Sequence, residues 1–237
     1  MVTQVRHWLG HISGTGAPPN ARIGMRVCLK GLASRGYAPE CVLDIGAAAG
    51  HWTKLAMRIW PKAHYFLLEP LRERQVALEK LRSQHSNVDY IMAGAADRPQ
   101  PLTLGIDPDR LDVSSFCYGG KENRTVDTVT VDDLMRLNRF SQPHFIKIDV
   151  QGFEIRVLTG AATAMAACDL ILMEMQFYRF DPSMILLHET VQWMADRNFV
   201  PYEIVDVLRR PYDGAMGECD MLFVRRDHWL ATTNRWA

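Results

Sequence analysis

The stretch CVLDIGAAAGHW, residues 41–52, places an apolar run with one acid directly before a turn built from glycine and alanine. The residues from Val42 to Ile45 predict a short buried strand, and Gly46 and Gly50 allow the backbone of the turn to approach a ligand closely. A helix is predicted from Trp52, and the free N–H groups at its start would face the same ligand. A strand, a small-residue turn and a helix in this order indicate a nucleotide pocket.

On either side of this stretch, the chain alternates short apolar segments with segments of helical spacing. Further strands are predicted at 64–68, 88–93, 145–150, 170–175, 202–207 and 221–224, and helices at 52–60, 71–81, 155–166 and 184–197. This alternation is typical of a parallel sheet covered by helices on both faces. The string RPYDG at 210–214 is too short for a crossover helix, so the last two strands are predicted to form an antiparallel hairpin. We therefore expect an α/β, Rossmann-like fold with a mostly parallel seven-stranded sheet.

The length and composition predict one domain that spans residues 1–237, because a hydrophobic content of 48% supplies a sizeable core. Residues 1–38 are interpreted as an N-terminal helical cover of this domain. Between 100 and 131 the sequence is rich in β-forming residues and contains no good helix. We expect these residues to form an insertion near the substrate pocket.

The charge and the cysteines restrict the partners and the compartment. Lys plus Arg and Asp plus Glu both number 27, so no overall field favours nucleic acid or an anionic membrane. The five cysteines form no CxxC pair, which favours a reducing, cytoplasmic location. The N-terminal residues lack the apolar core of a signal peptide, and no apolar stretch is long enough to span a membrane. We expect a soluble protein, and the sequence leaves open whether it forms a homo-oligomer.

Two residues of the opening stretch favour S-adenosylmethionine over NAD as the nucleotide. The dinucleotide fingerprint GxGxxG has alanine, Ala48, in place of its middle glycine. Asp44, two residues before Gly46, would repel a pyrophosphate. It could instead hold the ammonium of an amino-acid moiety, either directly or through water.

Further cofactor contacts are predicted at the following strand ends. Glu69 in YFLLEP stands where a carboxylate accepts hydrogen bonds from both ribose hydroxyls. In AGAAD, residues 93–97, Asp97 could meet the adenine amine, with Ala96 beside it, although an aspartate here also suits a plain turn. His51 could contact the cofactor carboxylate or simply face solvent at the helix start, and Trp52 is grouped with these residues.

Six segments resemble, in order, the successive motifs of the FkbM-family S-adenosylmethionine-dependent methyltransferases. These segments are DIGAAAGHWT, FLLEP, TVTVDDL, FIKIDVQGFEIRVLTGA, LILMEMQ and CDMLFV, and they run from about residue 41 to 225. The most specific piece is KIDVQGFE followed by LTGA, and Ala48 occupies a position where the family commonly has asparagine. The resemblance implies the class I methyltransferase fold and methylation of a hydroxyl on a sugar or secondary metabolite.

Catalytic groups are expected at the ends of the fourth and fifth strands, because an alcohol acceptor must lose its proton during transfer. Asp149 ends the apolar strand that begins at residue 145, and Glu174 interrupts the apolar segment LILMEMQ. A carboxylate buried in a strand is costly unless it is paired or used. Lys147 would lie on the same side as Asp149 and hold it ionised. Alternatively, the two carboxylates would hold a divalent metal, which the lack of a dense acidic cluster disfavours.

Substrate contacts are predicted mainly in the inserted loop and in the KIDVQGFE motif. Ser114 and Ser115 lie beside aromatic residues, which suits a sugar or polyol, with a plain flexible loop as the alternative. Gln151 and Glu154 follow the fourth strand, and Tyr178 follows the fifth. For Glu154, stabilisation of a helix N-terminus is the alternative interpretation.

These residues predict an S-adenosylmethionine-dependent O-methyltransferase that acts on a small hydroxylated acceptor. Methylation of a carboxylate or an amine is the alternative within the same class. A catalytically inactive binding module of the same fold is the alternative from another class, and the presence of Asp44, Glu69 and Asp149 argues against it. An NAD-dependent oxidoreductase is disfavoured by Ala48 and Asp44.

Overall fold

The computed structural model describes residues 24–233, so the predicted cover at 1–38 is described only from residue 24 onward. The strands are β1 Cys41–Ile45, β2 His64–Leu68, β3 Val88–Ile91, β4 Gly94–Ala95, β5 Pro101–Ile106, β6 Glu122–Val129, β7 Phe145–Ile148, β8 Leu170–Gln176, β9 Phe199–Arg209 and β10 Met216–Arg225. The α-helices are α1 Met25–Ser34, α2 His51–Met57, α3 Gln75–Gln84, α4 Val131–Arg136, α5 Glu154–Thr159, α6 Ala162–Ala167 and α7 Leu187–Ala195.

The main sheet has seven strands in the order β3-β2-β1-β7-β8-β10-β9. The pairs from β3 to β8 are parallel, and β10 pairs antiparallel with both β8 and β9. The predicted fold class is therefore confirmed, including the antiparallel terminal hairpin. The strand order reverses between β1 and β7, and in open parallel sheets ligands bind beyond the carboxyl ends of the strands at such a point.

The sheet is buried on both faces because its strands are almost continuously apolar. Leu43 and Ile45 pack into one hydrophobic core, whereas Val42 packs into the core on the opposite face. Successive side chains of a strand point to opposite faces, so a single apolar strand supplies both cores. The side chains of Asp44 and of Lys147 in β7 therefore point to the same face of the sheet as that of Val42.

The predicted third strand ends earlier than the expected residue 93. It ends at Ile91, and Gly94–Ala95 join a second sheet of order β4-β6-β5. A Cβ at Gly94 would lie 2.6 Å from the ring of Phe116, which belongs to the loop between β5 and β6. The missing side chain thus lets this loop pack onto the edge of the main sheet.

All four predicted helices differ from their predicted bounds, the first spanning His51–Met57 instead of 52–60, and one helix was not predicted. The segment 155–166 is divided into α5 and α6 around Gly160, where a Cβ would lie 2.1 Å from the carbonyl oxygen of Ala96. The segment 71–81 opens with a 3-10 turn before α3, and the helix predicted from residue 184 begins at Leu187. The unpredicted helix, α4, has a recognisable signal, because Thr130 Oγ1 accepts a 2.9 Å hydrogen bond from Asp133 N–H as an N-cap.

Candidate active site

A cleft opens at the carboxyl ends of β1, β2 and β7, at the point where the strand order reverses. The loop between β5 and β6 covers one side of this cleft. The lining includes Gly46, Ala48, Glu69, Leu111, Asp112, Ser114, Phe116, Asp149 and Gln151. The predicted cofactor turn, ribose acid and catalytic acid therefore come together in one cleft.

The glycine turn brings three strand ends into contact. Gly46 has φ +74°, and a Cβ there would lie 1.9 Å from the carbonyl oxygen of Asp149. The Gly46 and Ala47 N–H groups donate to the carbonyl of Leu68, at 3.0 and 3.1 Å. Only glycine fits between the ends of β1 and β7 in this conformation, so the position that the sequence singled out has a definite steric cause.

Glu69 is fixed at the end of β2 by backbone donors. Its two carboxylate oxygens accept hydrogen bonds from Ala48 N–H at 2.7 Å and Leu71 N–H at 2.8 Å. Burial raises the pKa of Glu69, and these two donors offset part of the rise. A carboxylate has about four lone-pair sites, so two remain for hydroxyl groups in the cleft. The position is compatible with the predicted contact to a ribose.

Asp44 is fully buried and does not line the cleft. Its carboxylate accepts a 2.5 Å hydrogen bond from Thr53 Oγ1 and lies 3.2 Å from Lys147 Nζ. Lys147 Nζ also donates to the Gly46 carbonyl at 3.0 Å and lies 3.6 Å from Asp149 Oδ2. The predicted direct contact of Asp44 with a cofactor ammonium is therefore not supported. Its position makes Asp44 the main partner of Lys147 beneath the glycine turn.

The Lys147 ammonium lies between the glycine turn and the carboxylate of Asp149. Burial works against its charge, but the carboxylates of Asp44 and Asp149 outweigh burial and raise the pKa of Lys147. The ammonium therefore stays charged at neutral pH. The predicted Lys147–Asp149 pair is present, and the pair with Asp44 is the shorter of the two.

A row of carboxylates and amides continues from Asp149 across the sheet. Gln151 Nε2 donates to Asp149 Oδ1 at 2.9 Å and to Glu174 Oε2 at 3.0 Å. Gln176 Nε2 donates to Glu174 Oε1 at 2.6 Å and to Glu218 Oε2 at 3.3 Å. We call Asp149, Gln151, Glu174, Gln176 and Glu218 the acidic row.

The two carboxylates of the row that the sequence predicts to be catalytic, Asp149 and Glu174, differ in their surroundings. Asp149 lines the cleft with a side chain that is 42% exposed. Glu174 is more enclosed, and burial, followed by the charges of Asp149 and Glu218, raises its pKa well above the ordinary value. A general base must be ionised and within reach of its substrate, so Asp149 is better placed for that role than Glu174.

The side chain of Glu154 faces the backbone of the turn before α5. Its Oε1 accepts from Val150 N–H at 3.2 Å and from Gly152 N–H at 3.1 Å. Burial raises its pKa from 4.5 to about 7, against the effect of these donors. Glu154 is absent from the cleft wall, so the predicted substrate contact is not supported. Its position fits the alternative interpretation, in which it stabilises the helix start.

Replacing Glu154 by Gln should make the stability of the protein less sensitive to pH. A carboxyl whose pKa rises on folding contributes stability that is fully present below its unfolded value and is lost as pH rises through the folded value, about 7 here. The amide keeps the accepting oxygen and carries no charge. Compared with the wild type, we expect similar stability at pH 5 and a gain of about 2–3 kcal/mol at pH 8.

Urea unfolding at both pH values measures this difference, with Glu122→Gln on the exposed part of β6 as the control. An equal effect of Glu154→Gln at pH 5 and pH 8 would show that the buried carboxyl does not titrate differently on folding.

The two predicted serines have different surroundings. Ser114 lines the cleft, and within the described residues its Oγ has no hydrogen-bond partner. Ser115 is buried, where its Oγ donates to the Gln151 carbonyl at 2.7 Å and accepts from Cys117 N–H at 2.9 Å. Ser114 thus places a buried hydroxyl without a partner in the cleft wall, whereas Ser115 ties the inserted loop to Gln151. Asp112, which also lines the cleft, was missed because one acid in a polar loop carries no distinguishing pattern.

Two predicted cofactor residues on α2 lie away from the cleft. The side chain of His51 is exposed, as the solvent-facing alternative predicts. Trp52 packs edge-on against Phe145 with ring centroids 5.7 Å apart, and its Nε1 lies 3.2 Å from the sulfur of Met25. Trp52 therefore joins α1 to the core, and the predicted cofactor contact is not supported.

Three further predicted residues are also absent from the cleft wall. Ala96 is completely buried, and Asp97 forms an ion pair with Arg156 at 2.7 Å. Tyr178 is exposed, with the guanidinium of Arg210 3.7 Å from its ring centroid. The cleft does include Ala93, Gly94 and Ala95. The AGAAD segment thus contributes to the cleft through its earlier, small residues.

The described part of the chain contains neither a metal-binding cluster nor a membrane-spanning helix. Between residues 24 and 233, no three or more His, Cys, Asp or Glu side chains are arranged to hold a metal ion. Within the same range, no helix has the length and apolar character needed to cross a membrane. The acidic row therefore gives no support to the metal alternative.

The geometry can be compared with known proteins. A family model described as the methyltransferase FkbM domain matches residues 44–201. No sequence among the curated proteins matches the chain.

Two solved structures share the fold. The methyltransferase FkbM from Methylobacillus flagellatus KT aligns with a TM-score of 0.52 and 16% identity, over 78% of this chain and 43% of that one. The chain thus spans less than half the length of that relative. The precorrin-6y C5,15-methyltransferase from Geobacter metallireducens GS-15 aligns with a TM-score of 0.50 and 11% identity, over 88% and 92% of the two chains. At these identities the likeness concerns the fold alone.

Proposed function

Because this chain belongs to the FkbM methyltransferase family, we propose that it transfers the methyl group of S-adenosylmethionine to a hydroxyl of a small acceptor. Sugars are the preferred acceptors, ahead of other secondary metabolites. The family match confirms the resemblance found in the sequence and supports the expectation of a methyltransferase. One observation carries the proposal of transfer to a hydroxyl. Asp149 lies in the wall of the cleft that contains the glycine turn and Glu69.

The residues of the cleft fit S-adenosylmethionine in their chemistry. Gly46 and Ala48 of the turn line the cleft with little side-chain bulk, and Glu69 has lone pairs left for the ribose hydroxyls. Apolar residues Leu68, Leu71 and Ala93 offer walls for a flat base. When bound, S-adenosylmethionine supplies an electrophilic methyl group on a sulfonium.

The protein's own contribution is to hold the acceptor oxygen and take its proton. Asp149 is the acceptor of that proton, because its carboxylate is in the cleft and its orientation is fixed by Gln151 Nε2 at 2.9 Å. The Lys147 ammonium lies 3.6 Å from Asp149 Oδ2 and faces the carboxylate from below the glycine turn. We assign to the Ser114 hydroxyl a hydrogen bond to the acceptor, which the lack of another partner for it within the described residues supports.

The acceptor is proposed to be a free small molecule in the cytoplasm. The balance of 27 basic and 27 acidic residues supports a partner other than nucleic acid. Five cysteines without a disulfide support a reducing compartment.

A methyl-transfer assay tests this proposal. Purified protein is incubated with methyl-labelled S-adenosylmethionine and matched sets of acceptors that carry a hydroxyl, a carboxylate or an amine. We expect label only in the hydroxyl set, with sugars and polyols leading. Label confined to carboxylates or amines would contradict O-methylation, and no transfer to any set would contradict the proposed activity.

A further inference from the structure

The peptide that joins Gln151 to Gly152 lies just beyond the carboxyl end of β7, beside the cleft. Gln151 has φ +57° and Gly152 has φ +95°, so two successive residues have left-handed backbone conformations. Glycine adopts this conformation freely, whereas a residue with a side chain is held in it by its surroundings. The conformation of Gln151 therefore depends on contacts with other parts of the chain.

Two buried side chains hold this peptide at its two polar groups. Ser115 Oγ donates a 2.7 Å hydrogen bond to the Gln151 carbonyl, and Glu154 Oε1 accepts a 3.1 Å hydrogen bond from the Gly152 N–H. The exposed fraction is 1% for Ser115 and 7% for Glu154. Because the C=O and N–H groups of a trans peptide point in opposite directions, these two contacts fix the peptide plane from both sides.

Ser115 is itself fixed within the inserted loop. Its N–H donates to the Gly105 carbonyl at 3.1 Å and its carbonyl accepts from the Gly105 N–H at 2.9 Å, so its backbone is anchored to β5. Its Oγ also accepts a 2.9 Å hydrogen bond from Cys117 N–H. A hydroxyl group has one proton to donate, and Gln151 receives it. The loop residues on either side of Ser115 line the cleft, so one loop both covers the cleft and holds Gln151.

The side chain of Gln151 connects this peptide to the two carboxylates that the sequence predicts to be catalytic. Its Nε2 atom donates to Asp149 Oδ1 at 2.9 Å and to Glu174 Oε2 at 3.0 Å. An amide nitrogen carries two protons, so both of its donor positions are used. The held peptide and the side chain share one Cα atom, and a rotation of the peptide would therefore move the amide away from the carboxylates. Gln151 thus links the inserted loop to the orientation of Asp149.

We propose that Ser115 is a positioning residue for methyl transfer and that it acts on Asp149 through Gln151. The inference rests on the proposed function and adds to it a residue that is absent from the cleft wall. Without the Ser115 hydroxyl, the Gln151 carbonyl loses its donor, and the left-handed conformation of Gln151 loses a contact that opposes its relaxation. The Gln151 amide then no longer holds the Asp149 carboxylate in the orientation that proton transfer requires.

Steady-state methyl transfer by Ser115→Ala tests the inference. We expect kcat to fall about tenfold, because the proposed base is present but poorly oriented. The affinity for S-adenosylhomocysteine, measured by calorimetric titration, should stay within about twofold of the wild type, because the glycine turn and Glu69 are unchanged. Thr128→Val is the matched control, since it removes a buried hydroxyl that donates to the Gln100 carbonyl at 2.7 Å, and it should keep wild-type kcat.

A double-mutant cycle with Gln151→Ala distinguishes positioning from a general loss of structure. If Ser115 acts through the Gln151 amide, Ser115→Ala should lower kcat less than about twofold in the Gln151→Ala background. Wild-type kcat in Ser115→Ala, or an equal decrease in both backgrounds, would overturn the inference. If Ser115→Ala does not fold, Ser115→Cys provides the same comparison, because its thiol is a weaker donor of similar size.

A crystal structure of the Ser115 variant supplies a readout that does not depend on activity. We expect the distance between Gln151 Nε2 and Asp149 Oδ1 to exceed about 3.5 Å, so that the hydrogen bond is lost. The inference is wrong if this hydrogen bond and the left-handed conformation of Gln151 both persist without the Ser115 hydroxyl. Failure of the proposed function would appear differently, as the absence of methyl transfer by the wild type to every hydroxyl acceptor.

Discussion

Asp149→Asn should lower kcat by roughly two to four orders of magnitude, the range that a general base contributes. The amide has the size of the carboxylate and keeps an oxygen for the hydrogen bond from Gln151, but it cannot take the proton of an acceptor hydroxyl. The glycine turn and Glu69 are untouched, so the affinity for S-adenosylhomocysteine should be nearly unchanged. Single-turnover methyl transfer and calorimetric titration measure the two effects separately.

Two further variants make this result specific. Asp127→Asn, on the exposed face of β6, changes an aspartate outside the cleft and should retain full activity. Glu174→Gln tests the other carboxylate that accepts a hydrogen bond from Gln151. It should lower kcat less than Asp149→Asn does. If Asp149→Asn turns over normally while Glu174→Gln does not, the base is Glu174 and our assignment is wrong.

Lys147→Met should destabilise the protein by about 3–5 kcal/mol, the cost of removing one partner of a buried ion pair. The Asp44 side chain is 0% exposed and that of Lys147 is 9% exposed. If one of the two charges is removed, water therefore cannot solvate the charge that remains. Methionine fills a similar volume but leaves the Asp44 carboxylate with Thr53 as its remaining hydrogen-bond donor. Urea unfolding at neutral pH measures the loss.

The paired variant distinguishes the lost ion pair from lost packing. Lys147→Met combined with Asp44→Asn removes both charges, and we expect it to be more stable than Lys147→Met alone. If the free energy of unfolding lost by the double variant equals the sum of the losses of the two single variants, the two charges have no coupling energy. The ion pair beneath the glycine turn would then not contribute to stability.

The fold was largely predictable because its determinants are local. A strand that is buried on both faces appears in the sequence as a continuous run of apolar residues. A connection as short as 210–214 allows only antiparallel pairing of the two strands that it joins. The deviations arise where segments distant in sequence meet. The third strand is shortened at Gly94 by the packing of Phe116, and the helix after β7 is interrupted at Gly160 by the approach of Ala96. No local pattern contains these contacts.

The candidate site was predictable to the extent that its residues sit at strand ends. Gly46, Ala48, Glu69, Asp149 and Gln151 follow strands of the parallel sheet, and all of them line the cleft. Side-chain direction and partners could not be predicted in the same way. The burial of Asp44 depends on Thr53 and on Lys147, which lies 103 residues further along the chain by their numbers.

Two members of the acidic row were missed, although a signal was present for one of them. Glu218 precedes the apolar end of the last strand, in the same kind of context that drew attention to Glu174. Its importance depends on Gln176, and that link forms only when β8 and β10 pair in register. Sequence patterns identify acids in strands, but the pairing of strands decides which acids meet.

The central claim is that the cleft beside Glu69 and Asp149 binds S-adenosylmethionine and that Asp149 acts on the acceptor. Calorimetric titration with S-adenosylhomocysteine, with NAD as the control ligand, tests it most directly when carried out on the wild type and on the Asp149→Asn variant. We expect micromolar binding of S-adenosylhomocysteine to both proteins and no binding of NAD to either. Failure of the wild type to bind S-adenosylhomocysteine, or binding of NAD with similar affinity, would contradict the account.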